Sequence, residues 1–524
     1  KTLPNIDFNI LVGNSLVGWL DERFESPLLI TPVSTYFGEF ADQLANRYPE
    51  DVAEIKSLLE KGRMEPTLVA YNKLVKIYTA ESGICAEDLQ DLLERFREEL
   101  YKQIKAFYLN FISEKGSISK AKLKQIRETI DSRVPFHWLI DFEDIIKNGG
   151  FDAIIGNPPY ILDQINNNID TTIVKTTISS REVNDKPLFY DCKDCGNTYA
   201  YFTERSLKLL KKGGRFGFIV PLSIVATDDM KAVREFVQRN CCKISYYNFD
   251  DRPGKLFPEL EHCRSSIVIT EKGESTDSIL TSKYHRWYTR DRSTLFKNLK
   301  TTLVKIVNGS DPIPKIGTEI EKSILSKLSL ASGANTVGDQ LLADGVNVWY
   351  HNAPQYWIHA HSDAYVPKSE YRSAEGCDIK VPDHYKSVVV SDADANIALG
   401  LLNSSLFYWW WIVWSNCRDL LLQQIKEFFF DFSRVSPDLE SEILPLVTEL
   451  MDDYEHNSAK TTNRRSGGYE VTYSKYQPGE SKYNIDKIDK IFAGYFSFTN
   501  EEADYLINFD IEFRTARLVN DQGS

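Results

Sequence analysis

The sequence predicts an α/β fold, and three stretches carry that expectation. Residues 151–156 are a short apolar run that breaks at Asn157-Pro158-Pro159-Tyr160. An apolar run of this length bounded by turn formers reads as a buried strand. From Tyr199 a helical pattern leads to Gly213-Gly214, and Arg215 to Pro221 reads as a second buried strand. A helix over about 227–240 and strands over 243–249 and 265–270 repeat the alternation. Helices alternating with apolar strands build an open sheet with helices packed on it. Such sheets bind ligands at the carboxyl ends of their strands, which is where the tetrapeptide falls.

The tetrapeptide has a chemistry of its own. An exocyclic amino group on a heteroaromatic ring is a poor nucleophile, because its lone pair is conjugated into the ring. Acceptors on both N–H bonds draw the nitrogen toward sp³ and localise that pair. The Asn157 side-chain oxygen and the Pro158 carbonyl are two such acceptors. Proline fixes φ and brings no competing N–H. Tyr160 offers a flat face, and stacking is worth about 1–3 kcal/mol per base in single-strand binders. Asn-Pro and Pro-Pro are also ordinary turn formers. The flanks decide between these readings: Asp152 and Ile154-Ile155-Gly156 before the motif, and the helix–strand unit after it.

With those flanks the segment resembles the N6-adenine DNA methyltransferases. It is most similar to the large single-chain enzymes of type IIG restriction–modification and related phage-defence systems, the NPPY family. The resemblance implies a site-specific DNA methyltransferase that uses S-adenosylmethionine and acts on double-stranded DNA. A base inside a duplex is out of reach and has to be flipped into the pocket. Asn157, Pro158, Pro159 and Tyr160 would be catalytic, and Tyr160 would stack on the base. Phe257, in Gly254-Lys-Leu-Phe-Pro258, stands where the family places a second stacking aromatic, with a hydrophobic plug as the alternative. Asn14, in Ile10-Leu-Val-Gly-Asn-Ser-Leu16, would lie near the cofactor's adenine. Phe202 would wall the cofactor or simply pack in the core. The implied fold is a partial Rossmann-like methyltransferase sheet with a helical insertion, followed by an α+β target-recognition domain and a helical C-terminal segment.

The sequence departs from the family at one point. None of its 27 glycines sits in an Asp-Pro-x-x-Gly-Ser-Gly type cofactor loop, and no nuclease motif is recognisable. The resemblance then implies the C-terminal portion of a longer enzyme, continuous with an N-terminal cofactor-binding and nuclease segment. Two alternatives stay open. One is a non-catalytic DNA-recognition module. The other is an RNA or protein N-methyltransferase, since Asn-Pro-Pro-Tyr also occurs in enzymes acting on ribosomal RNA guanine and protein glutamine. Those are usually short chains, and the long extension after Pro221 favours DNA.

At 524 residues the chain has room for two to four domains, and 42% hydrophobic with 26% charged residues is ordinary for a globular protein. No signal segment opens it. The most apolar stretch, Leu406 to Trp414, falls far short of the roughly 20 residues that span a bilayer. A buried helix is expected there, in a cytoplasmic prokaryotic protein. Eight cysteines in so long a chain are no disulfide scaffold. Cys192-Lys-Asp-Cys195 lacks a second pair at zinc spacing, and no metal is expected. The net charge of −13 is awkward for a DNA binder, since phosphate contacts dominate affinity. Local distribution matters more than the total. Residues 285–292 are basic with interleaved aromatics, which makes Arg286, Arg290 and Arg292 candidate phosphate contacts, with a solvated face as the alternative.

Along the chain, residues 1–16 read as a remnant of the cofactor half and 17–145 as the helical insertion. Leu89, Leu92, Leu93, Phe96, Leu100, Ile104, Phe107 and Phe111 fall at helical spacing. Ser119 can cap a further helix, and Pro135-Phe-His-Trp138 resembles the family's approach to the catalytic strand. Residues 146–275 form the catalytic region. Composition shifts after about 275, and 276–436 would be the target-recognition domain, where Leu401-Leu-Asn-Ser-Ser-Leu-Phe407 resembles a recurrent helical element. Residues 437–524 read as helical around a polar loop at 456–482, with a capping box at Thr499 and Glu502.

Overall fold

The structure is a computed structural model. It describes residues 31–80, 86–115, 138–161, 178–181, 187–192, 194–258, 262–373, 376–464 and 469–515, with isolated positions between 120 and 128. Residues 1–16 with Asn14, and the segment Ser119 and Pro135 to His137, lie outside the described residues.

The apolar spacing that starts at Leu89 is a helix, Ala86–Lys115. It packs with Thr31–Ala45, Pro49–Glu60 and Met64–Ala80 around a core of its own, in which Phe37, Ile55, Tyr71, Leu74, Leu93, Phe96 and Leu100 are buried. This bundle is fastened to the turn that leads into the strand Phe151–Gly156. Arg97 pairs with Asp141 at 2.8 Å, and Tyr101 donates to the same carboxylate at 2.5 Å. Trp138 and Phe142 then pack on Phe151, with ring centroids 5.8 and 5.3 Å away.

The strands are β1 (Phe151–Gly156), β2 (Ile178–Arg181), β3 (Pro187–Phe189), β4 (Leu210–Pro221), β5 (Cys241–Phe249), β6 (Ser265–Lys272), β7 (Ser278–His285) and β8 (Thr301–Lys305). Six form one mixed sheet in the order β1-β4-β6-β5-β7-β8, and β2 pairs with β3 apart from it. β1 is parallel to β4, and β5 to β7. β6 lies antiparallel between β4 and β5. It follows that β1, β4, β5 and β7 all point the same way and deliver their carboxyl ends to one rim. The sheet continues past residue 275, because β7 and β8 extend it; the composition shift there falls inside the sheet. β1 is an edge strand among the described residues, and Ile155 on it is 90% exposed.

Two details differ from the sequence reading for backbone reasons. The helix Thr198–Leu209 ends before Gly213-Gly214, which lie inside β4. The ladder steps from Phe151↔Leu210 to Ala153↔Arg215, so Lys211 to Gly214 bulge out of it. Gly213 takes φ +80°, and a Cβ on Gly150 (φ +115°) would sit 2.3 Å from the Leu209 carbonyl. Only glycine fits that approach.

The C-terminal half adds β9 (Val346–His351), β10 (Ala360–Ser362), β11 (Ser369–Ser373), β12 (Gly376–Lys380), β13 (Tyr385–Val390), β14 (Ala459–Arg464) and β15 (Glu470–Lys475). They make two sheets, β10-β9-β13 and β12-β11-β15-β14. The polar stretch expected as a loop is therefore a hairpin within a sheet, and the C-terminal segment is not purely helical. Three threonines, a valine and a tyrosine, residue types at home in strands, stand among the polar residues of this half-exposed ladder. The apolar helix Ser405–Trp414 is buried, bent by 65° from Ala395–Asn403. Two of its indoles keep strong partners, Trp410 donating to the Gln424 carbonyl at 3.1 Å and Trp411 to that of Asp419 at 3.2 Å, whereas Trp414 Nε1 is buried without one among the described residues. No single helix among the described residues is long and apolar enough to cross a membrane. One continuous core runs from Cys192 to Phe509, so the sheet and the C-terminal half share their interior.

Candidate active site

Asn157-Pro158-Pro159-Tyr160 leaves the carboxyl end of β1 at that common rim. Asn157 is exposed, Pro158 buried and Tyr160 half-buried. One side chain from the next helix holds the turn. The Thr198 hydroxyl donates to the Pro159 carbonyl at 2.6 Å and accepts from the Ile161 N–H at 3.2 Å. The Thr198 N–H donates to the Ile161 carbonyl at 3.0 Å. Tyr160 is thereby gripped on both sides. Asn197 caps the same helix through the Tyr199 N–H. Sequence reasoning missed Thr198; the Asn-Thr pair opening a helix was its only signal.

The Tyr160 hydroxyl sits 2.8 Å from Asn157 Oδ1 and 2.9 Å from the Ile219 carbonyl. It has one proton, so it serves one acceptor at a time. Its ring meets Tyr199 edge-on at 6.5 Å. Burial, then the nearby Cys263, pushes the phenol well above its ordinary pKa, so it stays a donor. The Asn157 oxygen expected to grip an amino group is thus satisfied from within. Because Ile219 offers a second acceptor, the phenol can release Asn157 without orphaning its own proton.

Phe257 lies half-buried in the turn after β5, at the same rim as Tyr160. Asp250 Oδ1 accepts from the N–H groups of Asp251 and Arg252 at 2.7 and 3.3 Å and starts that turn. Gly254 donates to the Trp287 carbonyl at 2.8 Å. Arg292 closes it, donating to the Lys255 carbonyl at 2.6 Å and to that of Leu256 at 3.3 Å. Asp251, also missed from sequence, is buried with Oδ1 lacking a hydrogen bond. Burial, then Asp250, raises its carboxyl.

The three arginines part company. Arg286 is 5% exposed and pairs with Asp250 at 2.7 Å and Asp510 at 3.1 Å. It also donates to the Tyr408 hydroxyl at 2.7 Å and the Gln355 carbonyl at 3.2 Å. The phosphate contact expected of Arg286 is therefore corrected: its guanidinium is internal and ties the sheet to the C-terminal helices. Burial alone would raise the Asp250 carboxyl, but Arg286 holds it below its ordinary value. Arg292 braces the Phe257 turn from the surface. Arg290 is exposed, lying over the Tyr288 ring at 4.6 Å. Phe202 is half-buried and packs against Tyr190 and Tyr201.

The described residues supply acceptors for an amino group but no cradle for a nucleoside cofactor. Gly156, where β1 ends, faces Phe218, which a Cβ would meet at 3.0 Å. No other glycine-rich turn leaves a parallel strand of this sheet among the described residues.

A strand parallel to its neighbour ends in Asn-Pro-Pro-Tyr, and one strand, β6, runs reversed within the same sheet. Residues 51–255 match the Eco57I restriction-modification methylase family. The chain is 30% identical over 315 residues to a putative type II restriction enzyme and methyltransferase of Methanocaldococcus jannaschii, covering 56% of this chain and 25% of that one. It is 25% identical over 215 residues to the type II restriction enzyme and methyltransferase RM.Eco57I of Escherichia coli, covering 41% and 20%. The chain thus spans about a quarter or less of the curated relatives it matches. Among solved structures, the type IIL restriction-modification enzyme MmeI in complex with DNA matches 94% of this chain and 77% of its own at 11% identity, with a TM-score of 0.38, too low to carry residues across.

Because Thr198 grips the turn from both sides, Thr198→Val should loosen it while keeping the fold. Two partly buried backbone groups on exposed residues lose their partner, and a net intramolecular hydrogen bond is worth about 0.5–1.5 kcal/mol. The expected outcome is a lower urea midpoint with unchanged far-UV circular dichroism. An unaltered midpoint would show that the clamp contributes nothing.

Proposed function

We propose that this chain is the catalytic and DNA-recognition part of a site-specific adenine-N6 DNA methyltransferase of a restriction–modification or phage-defence system. The observation that carries the reading is Asn157-Pro158-Pro159-Tyr160 at the carboxyl end of β1, clamped by Thr198, within a restriction-modification methylase domain. S-adenosylmethionine is the methyl donor this reading implies.

A flipped adenine enters beside Tyr160. Its two amino N–H groups donate to Asn157 Oδ1 and the Pro158 carbonyl, while the Tyr160 proton swings to Ile219. Tyr160 and Phe257 bracket the base from the ends of β1 and β5. Arg290, exposed and only loosely paired with Asp291 at 3.9 Å, meets a phosphate, and Arg292 acts by holding the Phe257 turn. The part of the chain after β8 reads the sequence through base edges in the major groove.

The test is incubation with S-adenosylmethionine and unmethylated duplex DNA, then digestion to nucleosides and mass analysis. N6-methyladenine supports the proposal. Another methylated base, or methylated RNA or protein, overturns it. Sequence-specific DNA binding without any product replaces it with the recognition-module reading, which the missing cradle among the described residues favours.

A further inference from the structure

Four of the eight histidines, His351, His359, His361 and His384, meet at one place in the C-terminal half. His351 stacks on His359 with centroids 4.9 Å apart and 15° between planes, and His384 meets His351 edge-on at 5.0 Å. His359 Nδ1 and His361 Nε2 lie 3.0 Å apart. Three of them, His351, His359 and His384, line a cavity of about 510 Å³ between β9, β13 and β15, together with Tyr385, Tyr476 and Lys475.

The lining limits what this cavity can hold. Burial is the main reason three of the imidazoles stay neutral, taking His351 down to about 4 and His361 to about 3 and lowering His359 well below its ordinary value. At neutral pH each of these rings then has one N–H donor and one bare acceptor. His359 spends Nδ1 on His361, and its Nε2 has no hydrogen-bond partner among the described residues. A metal ion would need more: no third His, Cys, Asp or Glu joins the two converging nitrogens among the described residues. Arg514 is committed to the wall, stacked on Trp357 at 3.7 Å and bonded to the Tyr356 carbonyl at 3.1 Å. Lys475 lines the cavity and is exposed.

Flat aromatic walls select a flat ring. Neutral donors and acceptors select an uncharged edge carrying both. The cavity falls within the roughly 300–1,000 Å³ of small-molecule sites. We propose that this cavity binds a nucleobase, its ring held among His351, His359, Tyr385 and Tyr476 and its phosphate toward Lys475. The base belongs either to a free nucleotide or to DNA, and the same contacts serve both. This goes beyond methyl transfer and does not depend on it.

The experiment titrates the chain with the four 5′-mononucleotides, read by tryptophan fluorescence, and separately with short duplexes carrying 2-aminopurine. Tyr476→Leu and Lys475→Ala are compared with the unaltered chain, and circular dichroism confirms that they fold. Saturable nucleotide binding that either variant weakens tenfold or more supports a free ligand. An effect confined to the 2-aminopurine signal supports a base in DNA. Binding should also weaken as pH falls toward 4, when His351 gains a proton and stops accepting. Asn157→Ala should leave it unchanged, which separates this cavity from the methylation site. Affinities for both probes that neither variant moves would overturn the proposal.

Discussion

Asn157→Ala is expected to abolish methyl transfer and leave the fold intact. Asn157 is exposed at the end of β1 and supports no core contact, and its one side-chain partner, the Tyr160 hydroxyl, keeps the Ile219 carbonyl at 2.9 Å. Stability should therefore stay within about 0.5 kcal/mol, as for surface substitutions away from special features. Activity should fall much further. Removing one preorganised hydrogen-bonding group from a transition state costs about 10²–10³-fold in kcat, and Asn157 supplies one of only two acceptors for the amino group. Asn157→Asp keeps an acceptor oxygen and should lose less. Single-turnover methylation with matched duplex binding reads the difference. An alanine variant that methylates at the unaltered rate, or loses DNA binding in proportion, would remove Asn157 from the chemistry.

The second large effect is on stability. Arg286→Met removes the cation that Asp250 and Asp510 share, at 2.7 and 3.1 Å, in a buried site. Breaking a buried pair from one side costs about 3–5 kcal/mol, because the remaining charge is left uncompensated. Here two carboxylates lose their nearest cation, leaving Arg264 at 3.8 Å from Asp250 and Lys283 at 3.7 Å from Asp510, and the Tyr408 hydroxyl and the Gln355 carbonyl lose a donor. The variant should show a large drop in urea midpoint. Because burial no longer has Arg286 to oppose it, the Asp250 carboxyl should protonate at higher pH, and part of the lost stability should return on mild acidification. A phosphate contact predicts the reverse: unchanged stability and a shallower salt dependence of DNA binding, by about one unit in the slope. Should that be found, the ion-pair assignment fails.

The motif was legible because its chemistry is local. Asn157 to Tyr160 are consecutive, the strand before them is a short apolar run, and a strand's end places them at the rim. The long helix was legible for the same reason: the spacing from Leu89 through Leu100 is a property of consecutive turns. The bundle core that these residues build confirms only that local pattern.

What the sequence could not reveal depends on residues far apart in the chain. Arg286 sits in a basic, aromatic stretch that reads as a phosphate contact. Its actual partners, Asp250 and Asp510, stand 36 and 224 residues away, and no window around Arg286 contains both. The same holds for the polar stretch after His456, which becomes β14 and β15 because Tyr371 and its neighbours in β11 offer an edge to pair with. Strand pairing is set by a partner, whereas helix formation is set by spacing. Sequence alone thus determined which groups stand at the end of β1, since the Asn157 side chain, the Pro158 carbonyl and the Tyr160 ring come from four consecutive residues. Only the tertiary structure decided which groups remain available for it: a hydroxyl three residues on already occupies Asn157, Thr198 holds the turn, and Arg286 is taken inside by buried carboxylates.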